Sequence, residues 1–200
     1  MDYLKILESL SIISASLVAI FGINSWKNEL KWKRNNELAE EILALCYENK
    51  SNLDFIRNPI MTGAEGLSRP IPPGEDPKIT PYLNRAYVFY ERYELKRQIF
   101  DLLKSKKFNA MARFEKEIGD QIKIFEDVKN SILWHAGNLG KIYWPKQDDR
   151  TFGTDELQKT RGIIAKSEEI IWKVNEEDAT SIIINQAIEK IEMILMKWIK

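Results

Sequence analysis

The sequence predicts an all-α protein in which an N-terminal transmembrane helix continues into a cytosolic bundle of four to five helices. Three observations predict it. Residues Ser9 to Trp26 run for eighteen positions without a charged side chain. Beyond them, apolar residues recur at helical spacing, and no segment shows the two-residue alternation of a strand. Glycine is scarce at nine residues, and six of the seven prolines fall within residues 58–81. Residues 1–26 are therefore read as a tail plus a membrane span, and residues 27–200 as a helical body interrupted by a Pro/Gly-rich loop over 58–81.

Composition bounds the rest. Two hundred residues with 44% apolar content bury one solid core. Lys+Arg and Asp+Glu are both 30, which argues against a nucleic-acid partner. A single cysteine, Cys46, excludes an intramolecular disulfide and fits a reducing compartment.

The uncharged stretch just reaches the length needed to cross a bilayer core at ~1.5 Å per residue. It is also lopsided. On a helical wheel, Ser11, Ser14, Ala15, Val18, Ala19, Gly22 and Ser25 share one arc, and Leu10, Ile12, Ile13, Leu17, Ile20, Phe21 and Ile23 fill the other. Small residues let a second membrane helix approach closely. Together with Asn24, the serines of this arc either pack against a partner helix or line a lumen. Lys27, Lys31, Lys33 and Arg34 follow the span, while Lys5 before it is offset by Asp2 and Glu8. The positive-inside rule then puts the body in the cytoplasm, with the span in a bacterial inner membrane. Trp26 and Trp32 complete a set of interface anchors. A core helix of a soluble protein, an interfacial helix and a signal peptide are the competing readings. Glu8 interrupts the last of these, and no A-x-A cleavage site follows.

Helices follow in order. No Pro or Gly lies between Asn24 and Asn58, so the first helix runs on to about Arg57. Leu38, Ile42, Leu45, Asn49, Asn52 and Ile56 form its inward stripe. The 58–81 loop reads first as a solvent-exposed crossover between helices; the sharper reading makes Arg57, just before it, and Gly63, Gly66 and Arg69 a partner-binding or anion-cradling set. No phosphate-loop pattern accompanies them. A second helix from Tyr82 carries Ala86, Phe89, Tyr93, Phe100 and Leu103. Gly119 and Asp120 are read as its C-cap and the next N-cap. A third helix carries Ile122, Phe125, Val128, Ile132 and Leu133, and ends within 140–145. A polar loop over 146–154 leads to a helix through Ile163, Ile164, Ile170, Ile171 and Trp172. Asp178 caps the last helix, in which Ile184, Ile188, Ile191, Leu195 and Trp198 form a seam inside the bundle or between subunits. Lys190, Lys197 and Lys200 could rest its end on an anionic membrane face.

Catalytic constellations are not found. His135 stands near a helix end, and position 132 is Ile where a di-iron Glu-x-x-His motif needs Glu. One His and one Cys do not make a zinc site, so no metal or other cofactor is expected. A helical ribonuclease of the HEPN type needs Arg four to six residues before His, and no Arg lies between Arg113 and Arg150. Acidic pairs at Glu40–Glu41, Glu168–Glu169 and Glu176–Asp178 read as solvated surface.

The segment SLSIISASLVAIFGINSWKNELKWKRNNELAEEILALCYE, followed by IRNP, TGAEG and RAYVFYERYE, resembles a group of short bacterial single-pass membrane proteins with a helical cytosolic part. The resemblance implies topology and no activity. The architecture alone is similar to CRISPR-associated accessory membrane proteins that assemble into pores. The expectation is a non-enzymatic, self-assembling membrane protein, pore-forming or membrane-perturbing in bacterial defence. The alternatives are a membrane tether that docks a cytosolic protein and a soluble helical regulatory module.

Overall fold

The computed structural model describes residues 3–147 and 153–199, without the side chains of Leu4, Lys5, Ile6 and Ser9. Lys200 and the centre of the polar loop expected over 146–154 lie outside the described residues. Every regular element among the described residues is helical. Helix α1 spans Tyr3–Ile56, α2 Thr80–Arg113 and α3 Glu117–Asn138. A five-residue π turn, Leu139–Tyr143, joins α3 to the short α4, Trp144–Gln147. Helices α5, Thr154–Ile171, and α6, Ala179–Leu195, complete the chain.

Helix α1 is unbroken over 54 residues, about 80 Å at ~1.5 Å per residue. With no Pro between Met1 and Asn58 and a lone Gly22, nothing in the chain stops it. The boundary drawn at Trp26 is thus no backbone break. What changes along α1 is its surroundings. The first buried side chain is Asn35, and Ala39, Ile42, Leu45, Cys46, Asn49, Asn52, Leu53 and Ile56 follow on one face.

That face meets α2, α3 and α6. Helix α2 runs antiparallel to α1: Arg92 reaches the Ile56 end, Lys106 pairs with Glu41, and Arg113 donates to Asn35 Oδ1 at 3.2 Å. Phe89, Phe100 and Leu103 enter the core from α2, Ile122, Phe125 and Ile132 from α3, and Ile164 and Ile171 from α5. Helix α6 also runs antiparallel to α1, from the Arg57 junction back to Asn36, whose amide donates to Trp198 O at 2.7 Å.

Gly119 does not cap α2. That helix ends at Arg113, and Gly119 lies buried in the first turns of α3, where an added Cβ would come within 2.4 Å of Met111 Sδ. Close approach at the α2–α3 corner, not a left-handed φ, is what this glycine provides. Asp178, by contrast, caps α6 as expected, accepting from Ser181 N at 2.9 Å.

One buried guanidinium ties three chain segments together. Arg57 is fully buried. Its Nε donates to Ile170 O at 3.0 Å, and its Nη2 donates to Trp172 O at 2.9 Å and Asp178 Oδ1 at 2.8 Å. Ser181 Oγ lies 3.3 Å from Nη1. Lys173 N donates to Arg57 O at 2.8 Å, and its ammonium bridges Asp54 and Glu176. The last carbonyls of α5 and the cap of α6 are thereby held on the end of α1.

Arg57→Leu leaves Asp178 and three carbonyl groups without this donor and is expected to cost about 3–5 kcal/mol. Chemical denaturation followed by circular dichroism reads it. Gly66 has φ +80, and a Cβ there would lie 2.2 Å from Asn84 O. Gly66→Ala is expected to cost about 1–3 kcal/mol in the same assay.

Candidate functional site

Among the described residues, the N-terminal half of α1 is the one long stretch of helix that the chain leaves uncovered. Its apolar membrane-length window has no buried residue and a mean hydropathy of 1.4. Leu10, Ile13, Val18, Ile20, Phe21 and Ile23 are all more than half exposed. Burying side chains of this kind is worth about 1.5–3 kcal/mol each, and the helix that leaves them uncovered is long and apolar enough to cross a membrane.

The polar side chains on this half are largely self-sufficient. Ser11 Oγ donates to Leu7 O at 2.9 Å, Ser14 Oγ to Ser11 O at 2.9 Å, and Ser16 Oγ to Ile12 O at 2.8 Å. Each hydroxyl proton is thus satisfied by the preceding turn, as a low-dielectric environment requires. Ala15, Val18, Ala19, Asn24 and Ser25 are exposed beside them, and an added Cβ at Gly22 meets nothing within 4 Å. The small arc is therefore smooth and open.

Trp26 and Trp32 are exposed, as are Lys27, Lys31, Lys33 and Arg34. They occupy the turns between the apolar half and Asn35, where the packed body begins.

The loop residues lie differently. Arg57 is inside the junction described above and presents no surface. Arg69 forms a two-pronged ion pair with Glu75, and its Nε donates to Asn84 Oδ1 at 2.8 Å. The backbone N–H of Gly66 donates to Glu91 Oε2 at 2.6 Å, and Thr62 N donates to Glu65 Oε2 at 2.8 Å. The Gly66 amide and the Ser68 hydroxyl hold a carboxylate, and it is the chain's own Glu91. Gly63 remains open: an added Cβ there meets nothing within 4 Å. Exposed Ile60, Leu67 and Ile71 are what this loop shows to solvent.

The seam of α6 is internal. Ile184, Ile188, Ile191 and Leu195 are buried within one chain, against α3 and α1. Trp198, just past the helix, is half-buried with its ring 5.8 Å from that of Phe114. The acidic pairs also differ from a solvated surface in two places: Glu168 accepts from Trp144 Nε1 at 2.9 Å, and Asp178 belongs to the Arg57 junction.

His135 places Nδ1 3.0 Å from Ser167 Oγ, and burial holds its pKa below the usual value. Cys46 is buried, and burial pushes its thiol up to about 12. Among the described residues, no three His, Cys, Asp or Glu side chains converge as a metal-binding group.

Arg92 is a residue that sequence reasoning does not single out. It is nearly fully buried, and its guanidinium donates to Asn58 O at 2.6 Å, Ile60 O at 2.7 Å and both oxygens of Glu65 at 2.9 Å. It holds the start of the 58–79 loop against the end of α1. Its one sequence signal is its place on the inward arc of α2, three residues after Phe89. No protein family, curated protein or solved structure matches the chain.

Asp178 and Glu65 are two of the carboxyls that contribute to the acid limit of this body. Burial pushes Asp178 up, but hydrogen bonds from Arg57 and Ser181 outweigh it, and its pKa is held low. The hydrogen bond from Arg92 outweighs burial at Glu65 and lowers it likewise. A folded pKa below the unfolded one gives stability that is present above about pH 4 and lost as pH falls through the folded value. Melting temperature is expected to fall from about pH 6.5, where burial makes the folded chain resist protonation of His135, and to drop further in acid as these carboxyls protonate. Asp178→Asn is expected to lower it at neutral pH and flatten the acid limb; an unflattened limb refutes the assignment.

Proposed function

We propose that this chain is a non-enzymatic single-pass membrane protein, anchored by the N-terminal half of α1, that associates with identical copies through the small-residue arc. The observation that carries the reading is the division of one helix into two environments. Among the described side chains, those up to Arg34 are exposed except the half-buried Leu30, while one face of Asn35–Ile56 is core. A soluble module with α1 as a core helix needs a cover for Leu10–Ile23 that the rest of the chain does not provide.

Three further features support the anchor. The uncharged stretch falls within the length range of spanning helices. The hydroxyls of Ser11, Ser14 and Ser16 make their bonds inside the helix. The basic cluster Lys27, Lys31, Lys33 and Arg34 follows the span, as cytoplasmic flanks do. Self-association is supported by Ala15, Ala19 and Gly22 on one open arc, where backbones can approach closely. It is the spent serine donors that favour packing between copies over a polar lumen. The non-enzymatic reading draws on the buried, proton-holding Cys46 and on His135, whose ring is engaged with Ser167.

A membrane tether that docks a second protein is the alternative, and the exposed Ile60, Leu67 and Ile71 of the loop favour it. Copy number separates the two. The full-length protein is expected in the membrane fraction, and its detergent-solubilised protein mass is expected to be a multiple of 23.4 kDa. Ala15→Leu with Ala19→Leu is expected to return that mass to one chain. Recovery in the soluble fraction without detergent overturns the anchor, whereas a single-chain mass overturns self-association and leaves the tether.

A further inference from the structure

Residues 27–34 hold four cations, Lys27, Lys31, Lys33 and Arg34, against one carboxylate, Glu29, in a chain whose charges balance as a whole. All four cationic side chains are exposed. Among the described residues, none of the four has a side-chain ion pair or hydrogen bond. Several cations of the packed body are taken up instead: Lys104 by Glu126, Lys106 by Glu41, Lys123 by Asp127 and Lys197 by Glu115. The cluster beside the apolar half of α1 is therefore uncompensated charge, carried on an unbroken helix.

Its height along the helix matches the polar layer of a bilayer. The uncharged stretch ends at Trp26, and the four cations follow about 1.5 to 12 Å beyond it. A headgroup layer is about 5–8 Å deep on each side of the hydrocarbon core. The field of an anionic leaflet persists for about a Debye length, ~8 Å, past that layer. All four charges fall inside it. Direction along the wheel matters as well. Lys27, Lys31 and Arg34, at i, i+4 and i+7, lie within about 60° of one another and nearly opposite the arc of Ser11, Val18 and Gly22. Glu29 falls on the side of that arc. A second copy packed on the small arc leaves this stripe uncovered, and one packed on the stripe itself would bring like charges together.

We propose that the stripe of Lys27, Lys31 and Arg34 is a docking surface for anionic lipid headgroups, whose phosphates gather around it in one leaflet. The proposal rests on the membrane reading above and adds the lipid class. Charge selects the occupant: unpaired cations on one face draw acidic headgroups ahead of zwitterionic ones. Their long stems let the charged ends reach phosphates at different depths. The interaction is collective, with no single lipid held in a pocket, and Lys33 adds to the field from the other side of the helix. Because α1 continues unbroken to Asn35, a leaflet gathered on this stripe also sets the height of the packed body above the membrane.

Full-length protein reconstituted in phosphatidylcholine vesicles tests it, with trace spin-labelled phosphatidylglycerol or spin-labelled phosphatidylcholine read by electron paramagnetic resonance. Label slowed by contact with the protein gives the association of each lipid. Phosphatidylglycerol is expected to associate about threefold or more over phosphatidylcholine at ~50 mM salt, and the preference is expected to fade at ~1 M. Lys27→Gln with Lys31→Gln and Arg34→Gln is expected to abolish it at low salt. Equal association of the two labels, a preference that salt does not change, or one that persists in the triple variant each overturns the proposal. Should that variant not insert, the wild-type pair and its salt dependence still decide. No slowed label of either kind means that the chain does not span the bilayer and overturns the anchor as well, whereas slowed label without preference overturns this proposal and leaves the anchor standing.

Discussion

The Arg57 guanidinium is the constraint on which the order of the helices depends. Helix α1 ends at Ile56, α5 ends at Ile171 and α6 begins at Ala179, and all three termini meet around this one side chain. Helix ends leave carbonyls and amides without intrahelical partners, and buried ones need donors from elsewhere. Arginine suits the place because its planar fork offers five donors and keeps its charge. The cost of taking that charge out of water is offset by Asp178, which in turn holds the first turn of α6 through Ser181. Lys173 and Asp54 brace the same corner from outside. Arg92 plays the matching part on the loop side, collecting the carbonyls of Asn58 and Ile60.

With that corner fixed, α6 can return along α1 and α3, and the body becomes a packed unit that starts at Asn35. Helix α1 then serves two environments with one backbone. Because the helix does not break between them, a rotation or tilt of its exposed half is transmitted to the body with little slack. In the proposed membrane setting, the interface cluster from Trp26 to Arg34 is a rigid spacer of about two turns, not a flexible leash. Association through the small-residue arc would hold neighbouring bodies at a fixed spacing and orientation.

Much of this is legible in the chain. The uninterrupted α1, the Pro/Gly-rich loop, the Asp178 cap and the inward rows of α2 and α6 all follow from local rules: spacing of apolar residues, helix-breaking prolines and side-chain capping. The uncharged stretch can be read because a bilayer imposes a length and a composition that sequence shows directly. Gly119 misleads because glycine has two uses, the left-handed turn and the close approach, and only the position of Met111 separates them. Arg57 and Arg69 look like loop cations offered to a partner, yet each finds its carboxylate within the chain. Near Gly66, one amide and the Ser68 hydroxyl bond Glu91, a partner 25 residues away that sequence does not show.

By itself the sequence determined what is local: which segments are helical, where they stop, and that residues 9–26 of α1 carry no charge. Tertiary structure decided what is shared between distant segments. It alone buried the α6 seam within one chain, gave Arg57 its partners 112 to 124 residues away, and left the buried oxygen of Asn49 without a partner. The physical reason is range. Helix periodicity and capping act over three to four residues, whereas the partner of a buried charge or amide is chosen by packing, which brings together residues that no local pattern connects.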